Sequence, residues 1–139
     1  MDRTTVSYPL VLNLLGVDGT ALPLDAELRY TAADPLAVEV LFDDGSDDPI
    51  RWVFARDLLA AGLDQRTGQG DVVIWPTTDA DGRPAVHLRL HSPDGDALLE
   101  ASAPALEAFL AATWRLVPPG TEHEHIDVDD VLDALLGES

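Results

Sequence analysis

The sequence contains no cysteine and no lysine, and its single methionine is the first residue. Without cysteine there is no disulfide, no thiol nucleophile and no thiolate zinc site, which fits a reducing compartment. Without lysine there is neither a Walker-type phosphate loop nor a Schiff-base enzyme. Positive charge is scarce as well: eight arginines stand against 26 carboxylates, for a formal charge of −18. A body this acidic repels phosphate backbones and anionic membranes unless its cations are concentrated, and these arginines are scattered. No apolar run reaches the roughly 20 residues of a membrane helix. The opening "MDRTTVSYPLVLNLLGVDG" is broken by Asn13 and lacks a small-residue cleavage pattern, so it reads as no signal peptide. The expectation is a cytoplasmic protein.

What is present suffices for a folded body. The 139 residues, 46% of them apolar, fit one domain over 1–139 with a real core. In "LDAELRY", Leu24, Ala26, Leu28 and Tyr30 alternate with polar residues, the period of a half-buried strand. "LAVEVLF" continues through Leu36, Val38, Val40 and Phe42, and "IRWVF" sets Ile50, Trp52 and Phe54 on one face. With "YPLVLNLLG", about four strands precede any helix. A short helix follows in "ARDLLAAGL", with Gly62 as its candidate stop. "DVVIW", "AVHLRLH" and "DALLEA" read as three further strands.

The period then changes. Leu106, Phe109, Leu110, Thr113, Trp114 and Val117 form a helical stripe over 104–117, opened by Pro104 and closed by Pro118-Pro119. A last helix is expected through "VDDVLDALL", with Val128, Val131, Leu132, Leu135 and Leu136 on one side and Asp127 as N-cap. The class is α+β, with about seven antiparallel strands and two to three helices, the longer ones C-terminal.

The chemical constellations are thin. In "GTEHEHIDVDD", His123 and His125 would point to one side of an extended segment, roughly 6–7 Å apart, a possible chelate if a carboxylate joined them. The spacing is not the helical H-E-x-x-H, and the nearby acids already suit a helix start, so a metal-dependent hydrolase ranks low. His87 and His91 would lie roughly 13 Å apart along one strand, too far for one ion. No serine sits in a G-x-S-x-G elbow, and "GQGD" precedes a strand where a phosphate loop would open a helix. No catalytic residue, cofactor or metal site is assigned.

Three residues remain as candidates for a partner or subunit interface. Arg56 heads the short helix, where it would sit over Trp52 or pair with a neighbouring acid, though not with adjacent Asp57. Trp75 ends an apolar strand, as core, rim or interface anchor. Gly120, after two prolines, is expected to take a backbone conformation that other residues resist.

The ordered segments "ELRYTAADPLAVEVLF", "WVFARDLLAAGL", "GQGDVVIWP" and "HSPDGDALLEASAPALEAFLAATWRLVPPGTEH" resemble the SsgA-like proteins, actinobacterial regulators of sporulation and cell division. The start "TTVS" and the ending "PPGTEH" before an acidic stretch and "ES" are similar to the SsgB branch of that family. The resemblance implies a Whirly-like fold with two antiparallel sheets, a homotrimer, and a non-enzymatic adaptor. It further implies FtsZ and an SsgA-like paralogue as partners, at division septa. The fold likeness also raises an alternative, a single-stranded nucleic-acid-binding protein, against which the charge of −18 argues.

Overall fold

The computed structural model describes residues 4–43 and 47–125, with the His125 side chain left aside. The expected helix over 128–136 lies outside them.

The strands form where apolar residues alternate, as expected except at Leu36, which is exposed in the turn before β3: β1 (Thr5–Leu15), β2 (Ala21–Thr31), β3 (Ala37–Phe42) and β4 (Ile50–Ala55) precede the first helix. α1 (Arg56–Gly62) leads to β5 (Val72–Thr78), β6 (Pro84–Ser92) and β7 (Gly95–Ser102), and α2 (Ala103–Leu116) follows. Every pairing is antiparallel, in the order β4-β3-β2-β1-β7-β6-β5.

The two sheets expected from the family likeness are therefore one. Two meanders, β1–β4 and β5–β7, are joined along a short seam. β1 pairs β2 from Thr5↔Thr31 to Leu15↔Ala21, but pairs β7 only at Asn13↔Glu100 and Leu14↔Leu99. Pro9, with no N–H to give, lies in the stretch of β1 that only β2 pairs. The seam is invisible to strand periodicity, because it depends on which edges meet.

One hydrophobic cluster runs through both meanders. Leu12, Leu28, Tyr30, Val38 and Val40 join Leu88, Leu99, Leu106, Phe109 and Leu110 in it. α2 packs against β1, β6 and β7, across the seam. Its stripe Leu106, Phe109, Leu110 and Thr113 is buried as the spacing predicts. Each fully buried Leu or Phe contributes roughly 1.5–3 kcal/mol of transfer free energy. Ser102 caps α2 by accepting a hydrogen bond from the Ala105 N–H at 3.3 Å, and Pro104 falls in the first turn.

α1 has no side-chain cap; the Arg56 N–H instead donates to the Leu36 carbonyl at 2.8 Å. Gly62 closes α1, but not by a left-handed turn. A Cβ there would stand 2.3 Å from Ile74 Cγ2, so glycine lets the helix lie directly on β5. Close approach, rather than the stop signal read from the sequence, is why glycine sits here.

Candidate functional site

Side-chain alternation splits the sheet into a face covered by α2 and an opposite face without a helix. The functional candidates fall in two places: a buried cluster where α1 and α2 meet, and the helix-free face around Trp75.

Arg56 lies in the first place and is 1% exposed. Strand parity explains this. Ile50, Trp52 and Phe54 point inward, and one more step of two brings Arg56 to the same side. Its guanidinium Nη1 donates to the carbonyls of Val117 at 2.8 Å and Thr113 at 3.3 Å, at the C-terminal end of α2. Nη2 donates to Glu122 Oε1 at 2.8 Å, and Cζ stands 4.9 Å from the centre of the Tyr30 ring. Tyr30, also buried, donates its hydroxyl to the Pro35 carbonyl at 2.8 Å.

A positive charge at the negative end of a helix is favourable, and a buried one needs a counter-charge, which Glu122 supplies. The Glu122 backbone N–H and the Arg56 guanidinium hold that carboxyl below the usual carboxylate range. Arg56 thus packs on Tyr30, not Trp52, and its acid is 66 residues distant. It bears on the surface only through the segment it holds, residues 118–125.

That segment is turned, not extended. Thr121 donates through its backbone N–H and its hydroxyl to the Pro118 carbonyl at 3.1 and 2.7 Å, and Gly120 adopts φ 87°. Glu122–His125 then forms one turn of 3₁₀ helix. The extended spacing that made His123 and His125 a possible chelate does not occur. His87 and His91 are separated by their partners: His87 Nε2 meets Glu100 Oε2 at 2.9 Å, and His91 meets Asp96. Among the described residues, no three His, Asp or Glu side chains are placed to hold a metal ion.

Trp75 occupies the second place, half-buried on the helix-free face. The cross-strand register puts it beside His87, edge to face at 5.6 Å between ring centres. Arg66 Cζ lies 4.5 Å from the Trp75 ring centre, a cation–π contact. Next to this stack is a groove of about 280 Å³ floored by Leu15, Ala97 and Leu98 and rimmed by Val17, Arg89 and Asp96. Its lining is mainly apolar, and Val17 is wholly exposed. The structure therefore separates the three sequence candidates: Trp75 opens on the surface, whereas Arg56 and Gly120 belong to the buried cluster and the turn beside it. Glu122 is the residue that sequence reasoning missed as a partner for Arg56.

Among known proteins, the family model described as "Streptomyces sporulation and cell division protein, SsgA" matches residues 24–122. The sporulation-specific cell division protein SsgB of Streptomyces coelicolor is 52% identical over 137 residues, 99% of each chain. The solved structure reported with mutations in SsgB that correlate to longitudinal cell division during sporulation of Streptomyces coelicolor superposes with a TM-score of 0.85 at 52% identity. It covers 88% of this chain and 96% of that one. An SsgA-like sporulation-specific cell division protein from Thermobifida fusca gives a TM-score of 0.84 at 37% identity, over 98% and 99% of the two chains.

Proposed function

Because the chain belongs to the SsgA family of sporulation and cell division proteins, we propose that it is a non-enzymatic division regulator that helps position FtsZ at septa through protein contacts. The observation that carries this reading is the nearly full-length match to SsgB of Streptomyces coelicolor. Division is carried out by assemblies, so a member of this family acts on protein partners. In this reading the partners are FtsZ and an SsgA-like paralogue. The working form is a homotrimer with a Whirly-like scaffold, cytoplasmic and gathered at septa. Three linked copies of one weak site on a polymer bind far more tightly than one, because later contacts are intramolecular.

Among the described residues no helix is long and apolar enough to cross a membrane. The helix-free face offers what a protein contact needs: an aromatic in an apolar groove, with the Arg89 guanidinium at its rim and that of Arg66 on the Trp75 ring. Trp75 is the candidate contact there, while Arg56 and Gly120 shape the segment over residues 118–125.

The same face is where a single-strand nucleic-acid binder would stack bases. Here Arg66 already covers a Trp75 face, and the chain sets 26 carboxylates against eight arginines, which argues against base stacking along a basic track.

Co-sedimentation with assembled FtsZ tests the proposal. The protein, alone or mixed with its SsgA-like paralogue, should pellet with the polymer and stay in solution without it. Absence from the pellet in both mixtures would overturn it.

A further inference from the structure

The groove beside Trp75 brings two guanidinium groups without an ion pair among the described residues to the border of an apolar surface. Arg29, Arg51 and Arg56 each form an ion pair with Glu27, Glu39 and Glu122 respectively. Arg66 and Arg89, at the groove, form none among the described residues, and neither do Arg83 and Arg115 elsewhere, although the chain is crowded with acid. On the neighbouring strands His87 and His91 already engage Glu100 and Asp96. Two guanidinium groups are thus left to meet negative charge from elsewhere, over an apolar floor. The groove, at about 280 Å³, is nearly twice a cavity of roughly 150 Å³ that holds benzene, so it accommodates one or two aliphatic side chains.

A matching segment exists in this chain. Residues 126–139, "IDVDDVLDALLGES", carry five carboxylates and no arginine. Val128, Val131, Leu132, Leu135 and Leu136 recur at the spacing of one helical stripe, with Asp129, Asp130 and Asp133 between them. Fourteen residues reach at most roughly 50 Å, well over the roughly 14 Å radius of a domain of this length. Geometry permits docking on the same chain or on a second copy.

We infer that the Trp75 groove is the docking site for residues 126–139 of this chain, with leucine side chains on Leu15 and Leu98 and carboxylates on Arg66 and Arg89. The groove then serves self-contact or assembly, and a docked tail covers the same Trp75 surface that the partner reading uses, while tail docking and polymer co-sedimentation are read by separate experiments.

The absence of cysteine makes the test clean. Ser139→Cys in the full chain gives one attachment point for a nitroxide, read by paramagnetic broadening of amide signals and the Trp75 indole N–H. The expected result is selective loss of signal at Val17, Leu98 and Trp75. That loss should reverse in Arg66→Glu/Arg89→Glu, with Arg66→Gln/Arg89→Gln as the milder version should charge reversal disturb the fold. It should also fade as salt rises and the Debye length falls from about 10 Å at 0.1 M to about 3 Å at 1 M. A mixture of nitroxide-bearing and isotope-labelled chains shows whether the segment sits on a second copy or its own; either placement supports the site. No broadening at the groove, or broadening that ignores both pairs of arginine substitutions, overturns it.

Discussion

The guanidinium of Arg56 and the carboxylate of Glu122 lie 2.8 Å apart, although 66 residues separate them in the chain. This contact binds the start of α1 to the segment after α2, and Arg56 also occupies the last carbonyls of α2. Arg56→Met should therefore lower stability by about 3 kcal/mol, chiefly by leaving the buried Val117 carbonyl without a donor and Glu122 without its counter-charge. Urea unfolding reads this as a lower midpoint at unchanged slope. A double-mutant cycle with Glu122→Gln should show that the two losses are not additive.

Acid should act on the same contact. Glu122 is held low by its own backbone N–H and by Arg56, Glu27 by the Ser7 hydroxyl and then Arg29, and Glu39 by Arg51. A carboxyl whose folded pKa is depressed contributes stability that is complete above its unfolded value and disappears as pH falls through the folded one. Stability should thus decline as pH drops below the ordinary Glu value of 4.5. Unfolding midpoints between pH 6 and 3, on the order of the usual working range for such titrations, should fall less steeply in Glu122→Gln than in the parent.

Gly62→Ala should destabilise by roughly 1–3 kcal/mol, because the new methyl meets Ile74 inside a packed contact. The built Cβ stands 2.3 Å from Ile74 Cγ2 and 2.6 Å from Ile74 Cβ. In an Ile74→Ala background the same substitution should cost less. Equal cost in both backgrounds would show that the close approach is not the cause.

At Gly120 the cause is backbone conformation and not crowding. Its φ is 87°, and nothing lies within 4 Å of where a Cβ would be. Gly120→Ala should lose roughly 1–2 kcal/mol in thermal unfolding, and Gly120→Asn less, since asparagine tolerates the left-handed region better.

Much of this fold is legible in the chain. Alternating residues such as Leu24, Ala26, Leu28 and Tyr30 have one physical solution, a strand with one buried face. The stripe from Leu106 to Val117 likewise has one, a helix lying on it. What local pattern cannot carry is contact between distant segments. Reading Arg56 against its neighbour Asp57 ruled out that pair but offered no route to Glu122. The one available signal was parity: Ile50, Trp52 and Phe54 point inward, so Arg56 does too, and a buried guanidinium demands an acid. The extended His123–His125 spacing fails because Glu122–His125 forms a turn of 3₁₀ helix instead. The arrangement of Arg66, Trp75 and His87 needs the β5–β6 register and the loop ahead of β5, which no single-strand pattern encodes.

The seam between the two meanders rests on two residue pairs, Asn13↔Glu100 and Leu14↔Leu99, with α2 lying across both leaves like a batten. Each leaf is internally well zipped, so partial opening follows this fault line and spares the rest. Losing those two pairs would bare the edges of β1 and β7 together. Freshly cut edges of matching shape on separate copies are templates for strand exchange, so weakening the hold of α2 across the seam should favour exchange between copies.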